Sequence, residues 1–155
     1  MQEKFIESLE HATKSLQTAD HLTYITFPLI KEKRLLLKIL SEINQSIVDT
    51  INAILQYEYL YKRIHIYTEA KANFETFKLI AHRFNLSNEQ ISKVIEIMTL
   101  NERHKKSPFE FVKNDKIIIM SGSMQTDTLT LEKIKSFLIE AKDILRKANL
   151  KLRSQ

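Results

Sequence analysis

Residues that form turns are scarce in this chain, and that scarcity limits its fold more than any other feature. The 155 residues include one glycine and two prolines. β-Sandwiches and β-barrels join many short strands through turns that are rich in these residues, so long helices are favoured instead. The length suits one domain with its own hydrophobic core, and we expect a single domain over residues 1–155.

Apolar residues recur at steps of three and four along most of the sequence, which indicates amphipathic helices. The first helix runs from about residue 3 into the twenties, where Pro28 should end or kink it. The second covers 33–62 and is about 45 Å long at 1.5 Å per residue. A third covers 69–84, and a fourth follows a capping box at Ser87–Gln90 and fades near residue 105.

The segment before the last helix is the part of the sequence with a strand pattern. KIIIM (116–120) is β-branched, SGS (121–123) holds the only glycine, and MQTDTLT (124–130) alternates, which predicts a β-hairpin. Thr130 can cap the last helix. The sequence therefore predicts an all-α fold, an antiparallel bundle of about five helices with a small β-hairpin before the last helix.

Several chemistries are excluded by composition. The chain has no cysteine, so disulfide frameworks, thiolate metal sites and cysteine nucleophiles are ruled out. Glycine-rich phosphate loops, HExxH and GxSxG are absent, and the five histidines show no ligand spacing, so we predict no metal and no cofactor. The first sixteen residues lack a continuous apolar segment and all apolar runs are short. We therefore expect no secretory signal, no membrane segment and a cytoplasmic protein.

The charge balance and one cationic stretch suggest an anionic partner. Net charge is +5 and the pI is about 9.3, which favours RNA or an acidic protein surface, although many basic proteins bind no polyanion. The stretch NERHKKSPFEF (101–111) can be a solvated helix end, an anion site or an active site. We predict that its cations form a basic patch around the hairpin base with two later lysines. The patch comprises Arg103, His104, Lys105, Lys106, Lys113 and Lys116.

Tyrosines interleave with cations in QYEYLYKRIHIY (56–67). Aromatic rings stack on bases and cations neutralise phosphates, so Tyr57, Tyr59 and Tyr61 are candidate contacts to single-stranded RNA. The alternative is an aromatic cluster at the edge of the core whose phenols reach water. Glu58, within this cluster, is interpreted as pointing to solvent from a long helix.

A helix-turn-helix pattern lies over residues 77–99. The motif's apolar, small and turn positions are matched by Ile80, Ala81, Phe84, Asn85, Leu86, Ile91 and Val94. Its second helix would show Asn88, Glu89, Gln90, Ser92 and Lys93 to DNA. Any two helices that pack through a tight turn give a similar spacing, so a purely structural interpretation stays open.

The order of elements, with a charged Arg/His helix end, a loop and a final helix, resembles the HEPN superfamily. That resemblance implies a small α-helical bundle, commonly dimeric and often a metal-independent ribonuclease of toxin–antitoxin and defence systems. The family's active motif is Arg, four to six residues, then His. Here His104 is adjacent to Arg103, and KKSPFE follows where the motif's His should be. The segment HKKSPFEFVKNDKIIIMS also resembles small archaeal proteins, which implies no activity.

Three functions follow as expectations. The first is a non-catalytic RNA- or protein-interaction module that uses the basic patch and the tyrosines. The second is a metal-independent ribonuclease with Arg103 and His104 as its catalytic candidates. The third is a helix-turn-helix DNA binder. We also expect a homodimer, because a long apolar helix commonly leaves a face for a second copy.

Overall fold

The computed structural model describes residues 3–154 and is mainly helical. Its helices are α1 (Lys4–His21), α2 (Phe27–Ile30), α3 (Leu35–Leu60), α4 (Ala70–Ile80), α5 (Asn88–Lys106) and α6 (Leu131–Leu152). A small antiparallel sheet between α5 and α6 contains β1 (Phe109–Lys113), β2 (Lys116–Met120) and β3 (Thr126–Leu129). The prediction of a mainly helical fold is confirmed.

Helix α3 lies at the centre of the fold. The apolar positions that predicted this helix are all buried in the core: Leu36, Leu40, Ile43, Ile47, Ile51 and Ile54. Helix α1 runs antiparallel to α3, because Ser8 bonds to Gln56 and the Ala12 carbonyl accepts from Ser46. Helices α5 and α6 also pack against α3. Burial of one long apolar stripe by three neighbours is the main source of stability in such a fold.

The homodimer is expected because a long helix such as α3 can leave an apolar face for a second copy. Lys38, Gln45 and Asn52 are exposed and follow one another at seven-residue steps. This part of the stripe is polar, whereas the next position, Tyr59, and its neighbour Leu60 are exposed apolar residues at the end of the helix. The homodimer stays a prediction.

Pro28 distorts the first helix but does not end it. The backbone forms a π-helical turn at Leu22–Thr26 and continues as α2, with Pro28 in its first turn. Proline has no amide donor, so the carbonyl four residues before it loses its usual partner, and the wider turn accommodates this gap. Lys31, in the left-handed conformation, follows the last residue of α2.

Specific residues end or begin three of the helices, and the caps at Ser87 and Thr130 confirm predictions from the sequence. Asn85 has a φ of 61° and closes a short 3₁₀ turn at Ala81–Phe84 that extends α4. Ser87 and Gln90 form the predicted capping box at the start of α5. The Thr130 hydroxyl accepts from the Lys133 amide at the start of α6. These caps satisfy amides that a helix leaves without partners.

The predicted β-hairpin is wrong in one respect, because the sheet has three strands. Strands β2 and β3 are the predicted hairpin, and β1 pairs with β2 on its other side. The sequence pattern predicts no strand at FEFVK (109–113). This segment instead pairs with β2 through a two-residue turn at Asn114–Asp115, where Asn114 has a φ of 57°. Asparagine tolerates this conformation, which explains the tight turn.

The two faces of the sheet differ in burial. Ile117, Ile119 and Leu129 point into the same hydrophobic core as the helices. Residues between them point outward and are exposed or half-buried. Within residues 3–154, no helix combines the length and the apolar character needed to cross a membrane.

Candidate nucleic-acid interface

The carboxyl-terminal end of α5 carries the predicted cations and is fixed against the sheet. Arg103, His104, Lys105 and Lys106 form its last turn, where the helix dipole favours positive charge. Ser107 ends the helix, and its hydroxyl donates to the Met120 carbonyl at 2.6 Å. The helix end and the sheet are therefore one rigid unit.

Two side-chain contacts join this helix end to opposite edges of the sheet. Arg103 Nη1 donates to Asp127 Oδ1 at 2.8 Å, and His104 Nδ1 lies 2.6 Å from Glu110 Oε2. Glu110, Ile119 and Asp127 are directly opposite one another in register. Strands lie about 4.8 Å apart, so the two carboxylate-bearing residues are separated by roughly 10 Å. Arg103 and His104 therefore diverge, although they are adjacent in sequence.

Arg103 lines an open groove of about 850 Å³, here called the α5 groove. It lies between α5, the start of α4 and the β2–β3 loop. The lining residues are Lys71, Met98, Thr99, Glu102, Arg103, Lys106, Ser107, Ser121, Gly122 and Asp127. Neither His104 nor Lys105 is among them. The groove therefore unites two of the predicted cations with a third that the sequence did not single out.

The charges of the α5 groove are only partly compensated. Lys106 Nζ lies 3.0 Å from Glu102, and Arg103 pairs with Asp127. Lys71 has no ion pair with any residue of the described chain. Three cations face two carboxylates, and both pairs are well exposed to water. A phosphate can compete for such pairs, since exposed ion pairs contribute little stability.

The predicted basic patch is divided by the sheet. Lys113 and Lys116 are directly opposite each other beside the β1–β2 turn. Lys113 is four residues beyond Phe109, about 13 Å along β1 at 3.3 Å per residue. Lys105 and Lys106 lie at the other end of the sheet. A single cluster around one hairpin base is therefore not formed.

The three candidate tyrosines lie far from Arg103. Ser41 of α3 bonds to Asn101 of α5, so the end of α5 is beside the start of α3. Tyr59 is eighteen residues after Ser41, a rise of about 27 Å along the helix. Tyr57 is only 3% exposed and packs edge-on against Phe5, so it is a core residue and is not available for stacking. Tyr59 and Tyr61 are exposed.

Glu58 is buried, and the interpretation that it points to solvent is wrong. It is 1% exposed, and its two oxygens accept from Arg63 at 2.8 Å and Arg83 at 2.6 Å. The hydrogen bond to Glu58 raises the pKa of Arg63, whose guanidinium also lies 5.1 Å from the centre of the Tyr61 ring. Burial of a carboxylate is costly unless it is paired and hydrogen-bonded, as Glu58 is here. Arg63 and Arg83 therefore have a structural role, since they pair with Glu58.

The helix-turn-helix segment has the expected turn, but its second helix is not free. Gln90 is buried, donates to Asp143 Oδ2 at 2.7 Å and accepts from Lys147 at 2.9 Å. It therefore cannot reach a base edge from this position. Glu89, Glu96, Glu140 and Asp143 line the adjacent cavity and would repel phosphates.

Comparisons with known proteins assign no family to the chain. No protein-family model matches it, and a search of curated proteins finds no match. Residues 3–154 hold no group of three or more histidine, aspartate or glutamate side chains placed to bind a metal ion. The resemblance to the HEPN superfamily therefore stays a prediction from the order of elements and the Arg103–His104 stretch.

Lys71 is the groove residue that sequence reasoning missed. It lies in the first turn of α4, thirty-two residues before Arg103, and no motif connects the two. Ser107 and Ser121 also line the groove, and their positions depend on the pairing of β1 with β2. Only the three-dimensional contact between α4, α5 and the sheet brings these residues together.

Proposed function

We propose that this protein is a non-catalytic RNA-interaction module that binds phosphates in the α5 groove. The observation that carries the proposal is the convergence of Lys71, Arg103 and Lys106, from two helices, on one open groove. The Thr99 and Ser121 hydroxyls line the same groove and can donate to phosphate oxygens. Binding of this kind is driven by release of counterions and is steeply sensitive to salt.

The geometry supports binding better than cleavage. A metal-independent ribonuclease needs its arginine and histidine on one phosphodiester. Arg103 faces Asp127 within the groove, whereas His104 faces Glu110 outside it. Binding without cleavage is therefore the function that these contacts support, and cleavage becomes one outcome of the test.

The test compares two variants that have the same net charge. Lys71→Gln/Arg103→Gln/Lys106→Gln removes the groove cations. Its control, Lys142→Gln/Arg146→Gln/Lys151→Gln, removes two lysines and one arginine from α6. Each set contains two ion-paired cations and one without an ion pair in the described chain. Both variants lower the formal net charge from +5 by three.

Labelled single-stranded RNA is titrated in EDTA, with anisotropy for affinity and a denaturing gel for integrity. We expect the groove variant to lose at least tenfold in affinity and its salt slope to fall by about 2, at 0.7 per phosphate contact. The control should keep most of the affinity. Equal losses would indicate that net charge alone matters. Shortened RNA would support the ribonuclease, and tighter binding to duplex DNA would support the helix-turn-helix.

Absence of RNA binding by the unaltered protein would overturn the proposal. The remaining expectation would then be an acidic protein partner at the same groove. Affinity purification with the groove variant as the matched control would test that expectation, because only a partner held by the groove cations would be lost from the variant.

A further inference from the structure

The outward face of the sheet has an unusual composition for a surface. Alternation and register place one set of residues on this face, here called the outer sheet face. They are Phe109, Phe111, Lys113, Lys116, Ile118, Met120, Thr126 and Thr128. The set contains two aromatic rings, two cations and no carboxylate. The opposite face carries the buried residues, so this one is left toward solvent.

Two aromatic rings form the centre of the outer sheet face. Phe109 is 56% exposed, and its ring centroid lies 5.4 Å from that of Phe111. Met120 and Ile118, directly opposite them on β2, are half-buried and support the rings. Rigid strands fix both rings at neighbouring positions. The exposed Phe109 ring and the half-buried Phe111 ring beside it can stack with unpaired bases.

Two lysines border the rings at one end of the face. Lys113 and Lys116 are directly opposite each other in the β1–β2 pair, an arrangement in which like charges repel. Asp115, between them in sequence, lies 3.7 Å from Lys33, and no carboxylate of the described residues pairs with either lysine. An anion bound between the two lysines would relieve this repulsion.

The α5 groove borders the same rings at their other end. Ser107 lies two residues before Phe109, and Ser121 follows Met120, and both serines line the groove. Cations therefore lie on both sides of a short aromatic surface. This order matches an extended single strand, whose phosphates would meet the cations while its bases lie on the rings.

We propose that the outer sheet face is a stacking platform for single-stranded RNA, continuous with the α5 groove. This inference rests on the proposed RNA-binding function and deepens it by naming the form of RNA. Bases in a duplex are stacked on one another and cannot reach Phe109 or Phe111, so the platform selects single strands. Charge complementarity acts between partners, and a face that presents cations alone is complemented by the phosphates of RNA.

The test replaces the two rings and keeps their apolar character. Phe109→Leu/Phe111→Leu should lower affinity for single-stranded RNA at least tenfold and leave affinity for duplex RNA unchanged. The salt slope should not change, since the variant removes no cation. The matched control is Tyr59→Leu/Tyr61→Leu, a second pair of exposed rings two residues apart. Ultraviolet crosslinking should attach RNA to the peptide that contains Phe109 and Phe111.

A second variant keeps the inference testable if the leucine variant folds poorly. Lys113→Gln/Lys116→Gln removes the opposed charges and should weaken single-strand binding. Its salt slope should fall by about 1.4, at 0.7 for each of two phosphate contacts. An unchanged affinity and slope in this variant would overturn the platform, whatever the leucine variant shows.

The outcomes separate this inference from the proposed function. If the groove variant weakens RNA binding and the phenylalanine variant does not, the platform is wrong and the RNA-binding function stands. If the tyrosine variant loses affinity instead, the stacking surface is at the end of α3. If the phenylalanine variant changes a dimer into a monomer at constant RNA affinity, the face is an interface between copies, which also overturns the platform. If the unaltered protein binds no RNA, the proposed function itself fails.

Discussion

The carboxyl-terminal ends of α3 and α5 both hold arginine–carboxylate ion pairs, but they use them differently. At the end of α3, one buried carboxylate, Glu58, accepts from Arg63 and Arg83. At the end of α5, Arg103 pairs with Asp127 on the surface, where about half of the arginine side chain and a quarter of the aspartate side chain are exposed. Burial of the carboxylate is therefore the main difference between them.

That difference determines which arginines can bind a partner. Removal of Arg63 or Arg83 from Glu58 would leave a charge with poor access to water, which is strongly unfavourable. Removal of Arg103 from Asp127 exposes both groups to water at little cost. The end of α3 is therefore a structural contact, and the end of α5 is open to exchange with a phosphate. A cationic helix end is a candidate binding site only when its carboxylate partners can be released.

The largest effect on stability is expected from Glu58→Gln. The substitution keeps the shape but removes the charge that two arginines bond, so the free energy of unfolding should fall by about 2 kcal/mol. RNA affinity of the folded protein should not change, because Glu58 is far from the α5 groove. Urea unfolding and anisotropy titration measure the two quantities.

Glu75→Gln is the matched control for this substitution, since Glu75 holds an exposed pair with Lys78. It should leave stability almost unchanged. A similar loss of stability in both variants would show that burial of the carboxylate is not the cause, and the comparison between the two helix ends would lose its basis.

The contrast also explains what sequence alone could predict. Helices and their caps depend on residues within a few positions, so α3, the Ser87–Gln90 capping box and the Thr130 cap were predicted correctly. Burial of Glu58 depends on Arg83, twenty-five residues away, and no local sequence pattern predicts that contact. A lone glutamate among exposed-looking tyrosines and cations is more often a surface residue.

The missed strand β1 has the same physical cause. FEFVK is only five residues long, breaks its alternation of apolar and charged residues at Val112 and follows a proline, so local preference does not separate strand from loop. Its pairing with β2 is stabilised by the Asn114–Asp115 turn and by the row Glu110–Ile119–Asp127 against α5. The α5 groove could not be predicted from the sequence for the same reason. The position of Arg103 relative to Lys71 and Ser121 depends on the same tertiary contacts.

A smaller effect on stability, with the opposite effect on binding, is expected from Asp127→Asn. Loss of the exposed pair should lower the free energy of unfolding by less than about 1 kcal/mol. RNA affinity should rise about threefold, because the groove loses a carboxylate and Arg103 is released. Asp20→Asn, which removes the partner of Lys142 between α1 and α6, is the control and should leave RNA affinity unchanged. Weaker RNA binding by Asp127→Asn would mean that Asp127 orients Arg103 for its ligand.

The smallest effect is expected from Asp143, whose side chain is slightly more exposed than that of Asp127. Its carboxylate is about one-third exposed and bonds to Arg146, Lys147 and Gln90. The hydrogen bond from Arg146 is the main cause that lowers the pKa of Asp143 below its ordinary value of 3.8, while burial opposes the shift. A lowered pKa in the folded state adds stability that is fully present above pH 3.8 and is lost as the pH falls through the folded-state pKa.

Asp143→Asn should therefore be less stable than the unaltered protein near neutral pH, and the difference should shrink below about pH 4. Urea unfolding from pH 7 to pH 3 measures this difference. Asp115→Asn is the control, because that carboxylate is 94% exposed and has one long contact to Lys33. A difference for Asp143→Asn that stays constant down to pH 3 would show that the bond to Gln90 stabilises the fold through its geometry and not through the charge. The exposed fraction of a carboxylate would then not predict whether its negative charge stabilises this fold.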